Sequence, residues 1–432
     1  MNTGCLIVEK VSAYDNYETS YLGMKKFILF LPVFFLGMAV CAQVKTGIEV
    51  LRDGQFGLLK DKRVGLITNP TGVDRHLKST IDILFEAPEV NLVALYAPEH
   101  GVRGDYYAGD HVENTVDKKT NVPVFSLHGK TKKPTAEMLE GVDVLVYDIQ
   151  DIGSRSYTYI STLGLAMEAA AENNVRMVVL DRPNPLGGNK FEGPLVEDEF
   201  VSFVSQFSIP YVHGFTVGEL ARFLNAEGLL TGGVQCQLEV VKMQGWKRAM
   251  SFEETGLPWV ASSPHIPHAH SAYFYPVSGI LGELYVVSIG VGYTMPFQIF
   301  ATDWLDAEAL AIRLNALHLP GVIFRPIHYR PYYSVLKGEL VHGVQVHITN
   351  LMEASLSLIQ FYVLQEAYAM HPEKNVFELC SAARLSMFDK VCGTDKIRKS
   401  FEKRFKVEDI QEMWEERIEP FVKKAQPYFL YP

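Results

Sequence analysis

The stretch VDVLVYDIQDIGSRSYTYISTLGLAMEAAAENNVRMVVLDRPNP, residues 142–185, decides the fold class. It opens on an apolar run, 142–147, that is too short for a helix and reads as a buried strand. A polar cluster follows, Asp148-Ile149-Gln150-Asp151-Ile152-Gly153-Ser154-Arg155. Over 156–172, Ile160, Leu163, Leu165, Met167 and Ala170 recur at helical spacing, and Asn173-Asn174 supplies a stop. A second apolar run, 175–180, empties into Asp181-Arg182-Pro183-Asn184-Pro185. Strand, helix, strand is the repeating unit of a parallel sheet.

The same rhythm continues on the N-terminal side. Runs 63–68 and 92–96 end in Asn69-Pro70-Thr71-Gly72 and Pro98-Glu99-His100-Gly101-Val102-Arg103-Gly104-Asp105, and helical periods occupy 79–86, 135–140 and 217–227. These elements predict an α/β fold with a Rossmann-like, doubly wound, mainly parallel sheet. In such a sheet the crevice beyond the carboxyl ends of the strands holds the ligand. Four polar clusters converging there suit a substrate with many hydroxyls.

Residues 262–280 carry Pro264, Pro267, Pro276 and histidines 265, 268 and 270 without apolar periodicity, so the domain boundary is placed there. This gives a Rossmann-like catalytic domain over 43–270 and a smaller C-terminal α/β domain over 271–432. In the second domain, strands are expected at 284–290 and 343–349 and an amphipathic pattern at 351–370. A charged surface helix carrying Trp414 is expected at 406–424, before a docked apolar terminus, Tyr428-Phe429-Leu430-Tyr431.

The 432 residues are 48% apolar and 21% charged with a net charge of −10, an ordinary globular balance with no basic stripe for nucleic acid. Met24-Lys25-Lys26, the apolar stretch 27–40 and Cys41-Ala42-Gln43 have the layout of a signal peptide, at about 24–42, behind an upstream extension. The stretch is shorter than the roughly 20 residues of a membrane span. An exported, periplasmic protein is expected, with lipid attachment at Cys41 disfavoured by Val40 before it. Cys236, Cys380 and Cys392 show neither a disulfide framework nor metal-ligand spacing.

Cofactor chemistry finds no support. Run 63–68 is followed by Asn-Pro-Thr-Gly instead of a dinucleotide fingerprint, Gly290-Val291-Gly292 lacks the third glycine, and no Walker loop, G-x-S-x-G elbow or H-E-x-x-H motif occurs. No cofactor and no metal are expected. Carboxylates remain: Glu99, Asp105, Asp148, Asp151, Asp181 and Glu283. Glycoside cleavage needs one acid on the leaving oxygen and a second group that attacks, activates water or supports a neighbouring acetamido group. Glu99 stands out because Pro98 fixes the backbone before it and Gly101 and Gly104 free the loop after it, although it could instead simply pair with Arg103. Asp148 either reacts or organises loop amides. Arg155 opens a helix whose dipole it opposes, which calls for a carboxylate or an anionic ligand group, and Arg182 invites the same pair of readings. Tyr157 and Tyr159 either stack on a sugar or belong to the core.

The segments GLITNPTGVD (65–74), LYAPEHGVRG (95–104), YDIQDIGSRSYTY (147–159), LDRPNPLGG (180–188) and EGP (192–194) resemble the peptidoglycan exo-β-N-acetylmuramidase family, NamZ, with further echoes in PGVIF (320–324) and GVQVHIT (343–349). The resemblance spans nearly all of the chain after residue 42. It implies release of a terminal N-acetylmuramic acid from peptidoglycan fragments stripped of peptide, in a cleft between the two domains. It also implies Glu99 as general acid with Glu283 or Asp148 as the second carboxyl. Asn69, His100, Arg103, Gln150, Asp151, Arg155, Tyr157, Asp181, Arg182 and Asn184 would hold the sugar, with Arg155 or Arg182 meeting its lactyl carboxylate. One segment departs: 283–292 keeps the family's glutamate, serine and glycines but has Val286 and Val291 where an asparagine and an arginine are expected. Two alternatives therefore stay open: a non-catalytic binder of muropeptides, and a hydrolase of another terminal amino sugar.

Overall fold

The computed structural model describes residues 43–104 and 115–432. The signal segment at 24–42, Cys41, Asp105, Asp110 and His111 lie outside the described residues. Residues Ala42–Pro432 form one compact unit.

The larger sheet contains β1 (Arg63–Thr68), β2 (Asn91–Ala97), β3 (Thr115–Val116), β4 (Pro123–Ser126), β5 (Val144–Asp148), β6 (Arg176–Leu180) and β7 (Leu238–Val241). Their order is β3-β4-β2-β1-β5-β6-β7, parallel throughout except for β3 against β4. The chain winds outward from β1 through β2 to β4, then returns to the other side of β1 as β5 and winds on to β7. The reversal puts the topological switch point between β1 and β5. A smaller antiparallel sheet, ordered β8-β10-β9, contains β8 (Ile299–Thr302), β9 (Val322–Tyr329) and β10 (Val341–Ile348).

Helices α1 (Gly47–Asp53), α2 (Thr80–Glu86), α3 (Tyr159–Glu172) and α4 (Val217–Ala226) accompany the parallel sheet. The C-terminal part carries α5 (Ser271–Gly282), α6 (Ala307–Asn315), α7 (Ile359–Met370), α8 (Val376–Leu379), α9 (Ala382–Cys392), α10 (Lys396–Phe401), α11 (Glu408–Glu415) and α12 (Ile418–Ala425). Successive strand residues face opposite ways, and the two sets feed separate cores. Val64, Leu66, Val144, Val146, Val178 and Leu180 pack with Ile48 and Leu51 of α1 and Ile81 and Leu84 of α2. Ile67, Leu145, Tyr147, Met177 and Val179 pack with α3, α4 and the C-terminal helices. Burial on both faces explains why these strands read as continuous apolar runs.

Several expectations are corrected. Residues 135–140 form turns and no helix, and 284–290 form no strand beyond the single bridge of Ser288 to Ala301. Helix α5 occupies Ser271–Gly282, most of it within the stretch 262–280 read as lacking periodicity. It is buried nearly all round, with Ser271, Ala272, Phe274, Pro276, Val277, Ser278, Ile280 and Leu281 all inside, so no polar face marks its period. Pro276 stands within it, and Gln360 Nε2 donates to the Pro276 carbonyl at 3.2 Å. The expected single helix at 406–424 is two, α11 and α12, and Trp414 is buried, donating from Nε1 to Ser357 Oγ at 3.1 Å. The apolar terminus is docked: Leu430 N donates to Glu219 at 2.9 Å, Tyr431 OH donates to Asp181, and the Arg248 guanidinium lies 3.6 Å from the Phe429 ring centre.

Candidate active site at the switch point

The loops after β1, β2 and β5 leave three adjacent strands on the switch-point side of the sheet. They bring together four buried polar atoms without a hydrogen-bond partner among the described residues: Asn69 Nδ2, His100 Nδ1, Asp151 Oδ1 and Ser154 Oγ. Buried polar groups are nearly always paired, so exceptions call for an explanation. Four of the seven such atoms among the described residues lie on these three loops, which makes the loops a candidate site for a ligand's hydroxyls and amides.

Local backbone aims these groups. After Glu99, His100 takes φ 74° and Gly101 φ 77°, a left-handed pair that folds the loop back over the strand end. Gly153 has φ 80°, and a β-carbon there would stand 2.5 Å from Asn184 Oδ1, so only glycine allows the turn after Asp151. Asp151 is held from one side only. Its Oδ2 accepts the Gly153 N–H at 2.7 Å and faces His213 Nε2 at 3.1 Å. The Phe215 N–H points at His213 Nδ1, 3.3 Å away, which places the ring proton on Nε2 for donation to Asp151. The other carboxylate oxygen is thereby presented to the crevice.

From the C-terminal side, α5 adds Tyr275. Its ring packs edge-on against Tyr157, with centroids 5.5 Å apart, and its hydroxyl lies 3.3 Å from Ser156 Oγ. Burial raises the Tyr275 phenol above its ordinary range, and the negative charges of Glu283, Glu99 and Asp151 push the same way. The charges of three carboxylates, Glu283, Glu99 and Asp151, are thus all felt at this one hydroxyl. Glu283 caps the C-terminal end of α5 and keeps a third of its side-chain surface. Burial raises its pKa, while Arg384 of α9, 3.9 Å from Oε2, draws it back down. On the rim, His265 Nε2 lies 2.8 Å from the Tyr333 hydroxyl, and burial with the nearby His100 lowers the His265 pKa.

Other expected site residues are engaged elsewhere. Asp148 is fully buried, accepting from Arg182 Nε and Nη2 at 2.5 and 2.9 Å and from the Thr80 hydroxyl at 2.5 Å. Of its two readings, reacting or organising the loops around it, this ion pair favours the second, and leaves Glu283 as the candidate second carboxyl. The same pair, with Nη2 donating to the Val73 carbonyl at 2.8 Å, holds Arg182. Asp181 accepts from Arg182 N, Gly218 N and Thr216 Oγ1, fastening β6 to the start of α4 and, through Tyr431, to the chain terminus. Asn184 bonds Leu186 N and the Phe215 carbonyl, and Gln150 Nε2 donates to the carbonyls of Asp151 and Pro183. Arg103 is clamped by Asp117 and Asp82.

Arg155 is the largest correction. It is wholly buried and donates to the carbonyls of Pro194, Ile209, Val391 and Cys392 at 2.6–3.0 Å and to Ser205 Oγ at 3.3 Å. Helix α3 begins four residues later, so Arg155 opposes no dipole there. It caps the carboxyl end of α9, where a cation is favoured. Tyr157 sits in the core of the site, its hydroxyl bonded to Ser262 Oγ at 2.8 Å, with Tyr159 edge-on at 5.1 Å.

Tyr275, His213 and Arg384 were not singled out from the sequence. Tyr275 lies in the helix that periodicity concealed, and no motif surrounds His213 or Arg384. The roomiest recess among those outlined, about 770 Å³ beside Phe191, Trp414 and Ile418, contains none of the three carboxylates.

Residues 64–270 match the family model described as exo-beta-N-acetylmuramidase NamZ, N-terminal, and residues 273–431 match its C-terminal counterpart. The peptidoglycan beta-N-acetylmuramidase NamZ of Bacillus subtilis (strain 168) is 46% identical over 389 residues, 90% of this chain and 92% of that protein. A DUF1343 family protein of Bacteroides fragilis NCTC 9343, known from its crystal structure, is 61% identical with a TM-score of 0.87, covering 90% of this chain and 99% of its own. A second DUF1343 protein of that organism is 28% identical, with a TM-score of 0.69 over the same shares.

Proposed function

The chain belongs to the exo-β-N-acetylmuramidase NamZ family and is an exo-acting glycoside hydrolase of peptidoglycan, and from that premise we propose that Glu99 and Glu283 carry its chemistry, with Asp151 and Tyr275 orienting the sugar between them. The observation that supports this assignment is that the Tyr275 hydroxyl, bonded to Ser156, feels the negative charges of Glu99, Asp151 and Glu283 together.

The roles follow from the charges. Arg384 favours the ionised form of Glu283, which suits a carboxylate that attacks the anomeric carbon or draws a proton from water. Burial raises its pKa, which strengthens it as a base. Glu99, on the flexible-glycine loop of the opposite domain, then protonates the departing glycosidic oxygen. Asp151 Oδ1, backed by His213, accepts the N–H of the 2-acetamido group and aligns its carbonyl beneath the anomeric carbon. Tyr275 keeps its proton, which burial holds on the phenol, and donates a hydrogen bond to the acetamido oxygen. The signal-like segment at 24–42 supports export, so the substrate is met outside the cytoplasm, in the periplasm.

The pH dependence tests the role of Glu283. Its pKa is raised, and it acts ionised, so activity is lost as pH falls through a value above the ordinary carboxylate range. Arg384→Gln removes the charge that holds this value down. The acidic limb of kcat should therefore move to higher pH in that variant, read from a pH–rate profile on a chromogenic N-acetylmuramic acid glycoside. An unmoved acidic limb would assign it to another group.

A further inference from the structure

N-acetylmuramic acid differs from N-acetylglucosamine by a lactyl ether ending in a carboxylate, and a site that tells them apart needs a cation with unfilled donors. Arg155 and Arg182 do not qualify. The first has its donors on four carbonyls and a hydroxyl, and the second is locked to Asp148.

Arg384 does qualify. Its Nη1 stands 3.9 Å from Glu283 Oε2, too far for a hydrogen bond, and its guanidinium makes no hydrogen bond to the described residues. Its side chain is 42% exposed, so a ligand can reach it. The guanidinium lies over the Tyr285 ring, 4.1 Å from the centroid, and that ring is fixed at its outer end by a hydrogen bond between its hydroxyl and Ser334 Oγ at 3.2 Å. A ring face takes none of the guanidinium's hydrogen bonds, so its N–H groups stay available for a carboxylate, which arginine can hold through two parallel bonds. The residue does nothing for its own helix. It is the third residue of α9, where a positive charge adds to the positive end of the helix dipole. The other end of α9 is fastened through Val391 and Cys392 to Arg155, so the arm that carries Arg384 is rigid.

We propose that Arg384 binds the lactyl carboxylate of the terminal muramic acid residue and sets the preference of the site for that sugar over N-acetylglucosamine. The inference rests on Glu283 lying in the catalytic cleft. A sugar whose anomeric carbon faces Glu283 swings its C3 substituent past the ring edge, and Arg384 is the cation waiting beside that carboxylate. The guanidinium has donors enough for both anions, so binding of the lactyl group does not strip Glu283 of its neighbour.

The test titrates N-acetylmuramic acid and its lactyl methyl ester into wild type, Arg384→Gln and Arg384→Lys by calorimetry, with melting temperatures confirming the fold. Wild type should bind the acid about 10- to 100-fold more tightly than the ester, as a charge-assisted bidentate contact warrants. Arg384→Gln should bind acid and ester alike, and Arg384→Lys should fall between. A wild-type preference retained in Arg384→Gln, or no preference in wild type, overturns the proposal. Turnover of a chromogenic N-acetylmuramic acid glycoside by wild type is measured beside it. Turnover with a preference that survives in Arg384→Gln sinks this inference alone, whereas selective binding without turnover upholds it and removes the catalytic assignment.

Discussion

Glu99→Gln should lower kcat on a muramyl disaccharide by about 10²- to 10⁴-fold, the usual contribution of a positioned general acid, with KM and melting temperature close to wild type. The substitution keeps the size of the side chain and its capacity for hydrogen bonding while removing the transferable proton. The loss should shrink with a nitrophenyl leaving group, whose oxygen departs without protonation, and stay large with an N-acetylglucosamine leaving group. This split separates proton donation from binding. A rise in KM at unchanged kcat would make Glu99 a ligand for a sugar hydroxyl, and equal losses on both leaving groups would move the acid role to Glu283.

Asp148→Ala should act on stability instead. Arg182 would be left charged and 6% exposed with no counter-ion, and breaking a buried pair from one side costs about 3–5 kcal/mol. That is a large part of the roughly 5–15 kcal/mol that holds a domain folded. A marked fall in the denaturation midpoint is expected, with Thr80 and the start of α2 losing their anchor as well. Replacing both partners together, Asp148→Leu with Arg182→Met, should recover much of the loss because no charge stays buried alone. An Asp148→Ala protein with native stability and no turnover would return Asp148 to the chemistry.

The strands of the parallel sheet were legible in the sequence because both faces of the sheet are covered. Runs such as 144–147 and 177–180 are apolar at every position, and polar residues follow sharply at Asp148 and Asp181. That abrupt boundary also drew attention to Asp148, Asp181, Arg155 and Arg182, and there the sequence misled. A polar residue at a strand end has two uses, to meet a ligand or to fasten neighbouring loops, and composition does not distinguish them. Which use holds depends on partners far along the chain: Arg155 on residues 391 and 392, Asp181 on 431. Glu99 stood out for a local reason, the glycines that follow it at 101 and 104, both with positive φ. Arg384 was invisible because its neighbours Glu283 and Tyr285 lie about 100 residues earlier, and a lone arginine in a helical first turn carries no motif.

The crystal structure of the Glu99→Gln protein with an uncleaved N-acetylmuramyl-N-acetylglucosamine disaccharide tests the site most directly. The scissile oxygen should lie within hydrogen-bond reach of the residue 99 side chain, the acetamido group against Asp151 and Tyr275, and the anomeric carbon facing Glu283. A disaccharide seated instead against the Asp148–Arg182 pair, or in the apolar recess beside Trp414, would contradict the assignment.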